Sequence, residues 1–190
     1  MKTLKSALFL VSILLIAANA AQAGDVGGQL MAQMTLTGGC AVSGGGAGTA
    51  AGANFGMLDF GVQPSSFTGV LLATPTRGAA GAGSTQIVCS PDVSAMSVSV
   101  NAGNNPGQGS SIGAGTRAMR QGASSYLPYE IYSDVAMTKA YPTSGGAVGV
   151  SVAPNGGAFA LPVFARVNKT AAGAMPAGTY VDTLQVTLSW

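Results

Sequence analysis

Cys40 and Cys89 are the only cysteines in this 190-residue chain, and the chain has no histidine at all. Those two counts narrow the available chemistry. Without an imidazole there is no histidine general base, and no histidine to complete a metal site begun by two thiolates. Neither cysteine lies in a C-x-x-C motif, so the residue types favour a structural bridge over redox exchange or metal binding. A Cys40–Cys89 bridge closes a loop of 50 residues and contributes about 4 kcal/mol in the chain-entropy model.

The remaining reactive groups are scattered. Lys139, Lys169, Asp59, Asp92, Glu130, Asp134 and Asp182 are the acids and amines a Ser-Lys or paired-carboxylate mechanism would draw on, and none stands in a spacing such mechanisms use. Solvated turns account for each of the acids more simply, and for Arg117 and Arg120 as well. Gly46-x-Gly48-x-x-Ala51 and Gly113-x-Gly115-x-x-Ala118 match a relaxed dinucleotide fingerprint, but neither follows a strand or opens a helix. In a chain with 29 glycines they are chance. Asn168-Lys169-Thr170 fits a glycosylation sequon, a three-residue pattern with many false matches. The expectation is a protein that is not an enzyme and holds no cofactor and no metal.

The elements that carry these residues are short and alternating. Leu30, Ala32, Met34 and Leu36 alternate with Met31, Gln33 and Thr35 ahead of Cys40; Ser84 to Ser90 surrounds Cys89; Met96, Val98 and Val100 alternate with serines. Leu127, Tyr129 and Ile131 form another row, then Val148, Val150 and Val152, then Phe159, Leu161, Val163, Ala165 and Val167. The last eleven residues place Tyr180, Leu184, Val186, Leu188 and Trp190 on one side of a pleat. Phe55, Phe60, Tyr126, Tyr129 and Tyr132 lie within strand-like runs, where core packing is expected. Beyond the N-terminal apolar run, no stretch of ten residues keeps helical periodicity without Gly or Pro. An all-β domain follows, a sandwich of immunoglobulin type before a barrel, although spacing alone fits both. Residues 43–54 and 103–115 are nearly pure Gly, Ala, Ser, Thr and Asn, and are expected to be mobile surface loops.

Lys2 and Lys5 precede an apolar run from Ala7 to Ala18, and Ala21-Gln22-Ala23 has the small-x-small pattern of a secretory cleavage site, which predicts export with residues 1–23 removed. Taking 23 from 190 leaves 167 residues, one domain of ordinary size. The net charge of +2 then vanishes with Lys2 and Lys5, leaving six basic against six acidic residues and no patch for nucleic acid. Only 7% of residues are charged, far below the usual quarter, so little repulsion opposes association. A terminal strand with one apolar face to its last residue, and a second alternating strand at the start of the mature chain, suggest head-to-tail polymerisation.

Cys40, Leu58-Asp59-Phe60-Gly61, Val88-Cys89-Ser90, Arg117-x-Met119, Tyr129-Glu130-Ile131-Tyr132-Ser133-Asp134 and Ala177-Gly178-Thr179-Tyr180-Val181-Asp182-Thr183-Leu184 follow one another in an order that resembles the spore coat protein U domain family, which includes pilin subunits of archaic, Csu-type chaperone-usher pili. The resemblance implies an incomplete immunoglobulin-like β-sandwich completed by donor-strand exchange. It implies a signal peptide over 1–23, a donor extension over 24–37 and a pilin domain over 38–190. Leu30, Ala32, Met34 and Leu36 would fill the pockets of a neighbour, and Leu184, Val186, Leu188 and Trp190 would border the acceptor groove or meet a chaperone. The implied partners are a periplasmic chaperone, an outer-membrane usher and identical or related pilins. The implied place is the cell surface, reached through the periplasm, where pili support adhesion and biofilm formation. A minor or adaptor subunit of the same pilus, a laterally assembling coat or matrix protein, and a self-contained secreted sandwich that uses residues 26–37 itself are the alternatives.

Overall fold

The structure is a computed structural model that describes residues 26–42, 53–76 and 85–190. The expected signal peptide, residues 1–23, and most of the Gly-rich stretch at 43–54 lie outside the described residues. The chain divides into two units at Thr35 and Leu36. Residues 26–35 hold no strand, and their side chains are exposed.

From Leu36 onward the described residues are strands joined by turns. They are β1 (Cys40–Val42), β2 (Met57–Leu58), β3 (Gly69–Ala73), β4 (Pro75–Thr76), β5 (Gln86–Cys89), β6 (Ala95–Val100) and β7 (Gly113–Ala114). After them come β8 (Arg117–Gln121), β9 (Ser125–Tyr132), β10 (Val148–Ser151), β11 (Ala158–Ala160), β12 (Phe164–Lys169) and β13 (Val186–Ser189). Every pairing is antiparallel. Three sheets run β1-β5-β11, β10-β6-β13 and β3-β12-β9-β8, with β7 against β12, and β2 pairs β4. This is the architecture of an immunoglobulin-like β-sandwich, as the alternation predicted.

Period-two burial decides which side chains form the core. In β6, Met96, Val98 and Val100 are buried while Ala95, Ser97 and Ser99 face outward. In β12, Ala165, Val167 and Lys169 are buried, and β9 adds Leu127, Tyr129 and Ile131 to the same cluster. Pro128 sits inside β9 without breaking it, because the ladder to β12 begins only at Tyr129, so its missing N–H is not called on there. Cys40 and Cys89 stand directly opposite each other on β1 and β5. Their sulfurs are bonded at 2.07 Å, giving the predicted bridge.

Residues 103–115 are more ordered than their composition suggests. Hydrogen bonds tie them down, from Gly107 N–H to the Thr116 carbonyl and from Ile112 N–H to Gly109, while the Ile112 carbonyl accepts from Thr170 and Ala171. Ile112, the one large apolar residue of the stretch, packs on the core. The single row expected from Phe159 to Val167 is instead two strands, because Pro162 interrupts it between β11 and β12.

Candidate functional site

Strand character extends well upstream of β13. From Tyr180 to Ser189 the side chains alternate without a break between half-buried and exposed. Two anchors hold the upstream part in line. Val181 exchanges both backbone hydrogen bonds with Arg120, at 2.9 and 3.0 Å. The Gln185 carbonyl accepts from Asn101 N–H at 3.0 Å, and Gln185 N–H donates to the Asn101 side-chain oxygen at 2.9 Å. β13 then pairs β6 with Val186 opposite Val100 and Leu188 opposite Val98. In an antiparallel ladder alternate residues bond to alternate sides. With Gln185 bonded toward Asn101, the backbone groups of Leu184, Val186 and Leu188 face the opposite edge. No strand pairs with that edge among the described residues.

Beside the open edge lies a cleft of ≈ 840 Å³. Phe55, Phe60, Phe67, Leu71, Met119 and Met175 contribute to its apolar wall, and Leu184 and Val186 line it from the open strand. Most of these side chains are only partly buried against the core. Apolar residues gathered around unfilled space, next to an unpaired strand edge, form a site suited to one more strand with alternating apolar side chains.

Below the cleft sits a polar network. Arg117 is fully buried and donates to Glu130 Oε1 at 2.8 Å, to the Val100 carbonyl at 2.9 Å, to the Asn101 carbonyl at 2.8 Å and to the Tyr141 carbonyl at 3.2 Å. Burial pulls the guanidinium below its ordinary value, and Glu130 pushes it back. Tyr129 Oη donates to Asp182 Oδ2 at 2.7 Å. Burial first, and then that bond, raise the Tyr129 phenol. Lys169 is buried too, donating to the carbonyls of Ala171 and Gly173 with its ammonium 5.5 Å from the Phe67 ring centre. The solvated-turn reading of Arg117 and Glu130 is therefore corrected. Their ion pair joins two different strands, so no local pattern announced their burial, whereas Lys169 bonds nearby carbonyls and continues the buried row of Ala165 and Val167.

A model of the spore coat protein U domain matches residues 27–187, most of the chain. The chain belongs to the spore coat protein U domain family. A comparison with curated proteins finds no match. The family is associated with subunits of chaperone-usher pili and is a family of structural pilins, not of enzymes.

Within this family member the expected site residues fall as follows. Leu184 and Val186 line the cleft. Leu188 is half-buried on the core behind it. Trp190 is 56% exposed and lies against Gly39, at whose position a Cβ would sit 3.7 Å from the indole nitrogen. In the N-terminal segment Leu30, Ala32, Met34 and Leu36 are all exposed and in no strand. Asp182 was not expected on the inner row, although its even number places it there with Tyr180 and Leu184. Period two was the available signal. The wall residues Phe67, Leu71 and Met175 carry no signal beyond being apolar. Among the described residues no group of three or more His, Cys, Asp or Glu side chains is placed to hold a metal. No helix among them is long and apolar enough to cross a membrane.

Proposed function

We propose that this chain is a structural subunit of a surface pilus, assembled by the chaperone-usher pathway through donor-strand complementation. The observation that carries the reading is the apolar cleft beside the unpaired edge of Leu184, Val186 and Leu188. A periplasmic chaperone would lend a strand to that edge. At the outer-membrane usher, residues 26–37 of the next subunit would replace it, with Leu30, Ala32, Met34 and Leu36 entering the cleft. Trp190, exposed at the far end of β13, is available to the chaperone. The chain would pass through the periplasm, where Cys40 and Cys89 oxidise, and reach the cell surface in a fibre that supports adhesion and biofilm formation.

Magnitudes favour a durable joint. Burying Leu30, Met34 and Leu36 at about 1.5 to 3 kcal/mol each gives roughly 5 to 9 kcal/mol before entropy. Ladder hydrogen bonds at about 0.5 to 1.5 kcal/mol apiece add to it. Material sheared from cells and run in detergent with and without boiling tests the proposal. A ladder in multiples of the subunit that collapses to monomer on boiling is expected. A single monomer band before boiling would instead favour a self-contained secreted sandwich.

A further inference from the structure

One carboxylate stands in the apolar row that borders the cleft. Asp182 occupies the inner face between Tyr180 and Leu184, and it cannot swing away. Its Oδ2 accepts from Tyr129 Oη at 2.7 Å, and its Oδ1 accepts from Asn104 N–H at 2.8 Å and from Thr183 N–H at 2.9 Å. Gly103 makes room for it, since a Cβ there would lie 2.1 Å from Oδ2 and the residue has φ +71. A carboxylate offers about four acceptor sites, so three bonds leave one that water must serve. A bulky neighbour strips that water away and leaves the charge poorly solvated.

Resting on the strand-exchange reading above, we propose that Asp182 sets the register of the incoming strand, with Ala32 of a second copy directly opposite it in an antiparallel ladder. Directly opposed side chains lie about 5 Å apart. In the donor row Leu30, Ala32, Met34 and Leu36, Ala32 is the only small side chain. Placing it against Asp182 sets Leu30 against Leu184, Met34 against Tyr180, Leu36 against Gly178 and Gly28 against Val186, all positions on the cleft wall. Gly28 against Asp182 would set Leu36 against Ala174, beyond the cleft wall.

Gly39 separates a strand of the same molecule from one of a second copy. It packs beside Trp190 and hydrogen-bonds Ser90, so a strand made by the residues just before it in the same molecule could meet the open edge only from its C-terminal end, parallel to β13. The antiparallel ladder needs Leu36 near Gly178, which lies before the extended stretch that begins at Tyr180 and is therefore more than about 30 Å from Trp190. Three residues span only about 11 Å. The antiparallel strand therefore comes from another molecule.

Leu184 directs its backbone groups to the open edge, so residues 183 and 31 form a non-hydrogen-bonded pair. That is the closer kind of pair, and a disulfide fits there. Both side chains point outward and are exposed, and the native cysteines are already bonded to each other. Fibres should be compared from three double variants, Met31→Cys with Thr183→Cys, with Val181→Cys or with Gln185→Cys. The expected result is a ladder that survives boiling but not reductant, at least tenfold stronger with Thr183→Cys. Equal or stronger cross-linking at Val181→Cys or Gln185→Cys, with the heat-labile ladder intact, would overturn the register and leave strand exchange standing. A disulfide confined to monomers would overturn the antiparallel orientation. Loss of the heat-labile ladder from the unmodified chain would remove strand exchange itself. Ala32→Leu should lower ladder yield at least fivefold, and an unchanged yield would overturn the role given to Asp182.

Discussion

Val26–Leu36 and Tyr180–Ser189 carry the same kind of alternation, and the structure treats them differently. The second stretch buries one row against the core and bonds one edge to Arg120, Asn101 and β6. The first forms no strand, and its apolar residues stay in water, with Leu30 97% and Met34 77% exposed. Alternation states which side chains share a face, but a strand also needs a partner for its backbone. Among the described residues, Tyr180–Ser189 has such a partner on one edge only. The pilus proposal gives each stretch what it lacks by joining the open edge of one molecule to the unpaired segment of another.

That difference can be broken from the folded side first. Arg117 bonds the carbonyls of Val100 and Asn101, the residues onto which Val186 and Gln185 ladder. Arg117→Ala removes this support and leaves Glu130 without its cation, and should cost about 3 to 5 kcal/mol in urea unfolding. Val186→Ala removes part of a half-buried side chain and should cost about 1 to 2 kcal/mol in the same measurement. Met34→Ala, in the exposed row, should change monomer stability by less than about 0.5 kcal/mol.

Alkaline pH probes the folded side without mutation. Burial pushes the Tyr141 phenol up to about 12, and Tyr129 shifts in the same direction. A phenol whose folded pKa lies above its ordinary value of about 10 contributes full stability below pH ~10, and loses it as pH rises toward the folded value. The urea midpoint should therefore fall from about pH 10 toward pH 12. Tyr141→Phe should flatten that fall, at the cost of about 1 kcal/mol at neutral pH from the lost bond to the Pro162 carbonyl.

Much of the fold was legible because burial here is periodic. Met96, Val98 and Val100, the row of β9 and the terminal strand fall where alternation put them, and two cysteines without a histidine pointed to the bridge. β3 was missed because Gly69-Val70-Leu71-Leu72-Ala73 is an unbroken apolar run with no alternation to detect. It is an edge strand that leaves Val70 and Leu72 exposed. At the site, Tyr180, Leu184, Val186 and Leu188 are half-buried where alternation put them, while Trp190 is exposed and Asp182 joins the row unannounced. A carboxylate on an apolar row makes sense only once Tyr129 and Asn104, far away in sequence, are seen to hold it.

Met34→Asp tests the central claim most directly, because it changes the unpartnered row and leaves the folded domain untouched. Sheared surface material from wild-type and variant cells should be compared without boiling, alongside thermal unfolding of the two monomers. The account predicts a subunit ladder for wild type, at least tenfold less of it for the variant, and matching unfolding curves. A full ladder from Met34→Asp, or a variant that fails by unfolding, would contradict it.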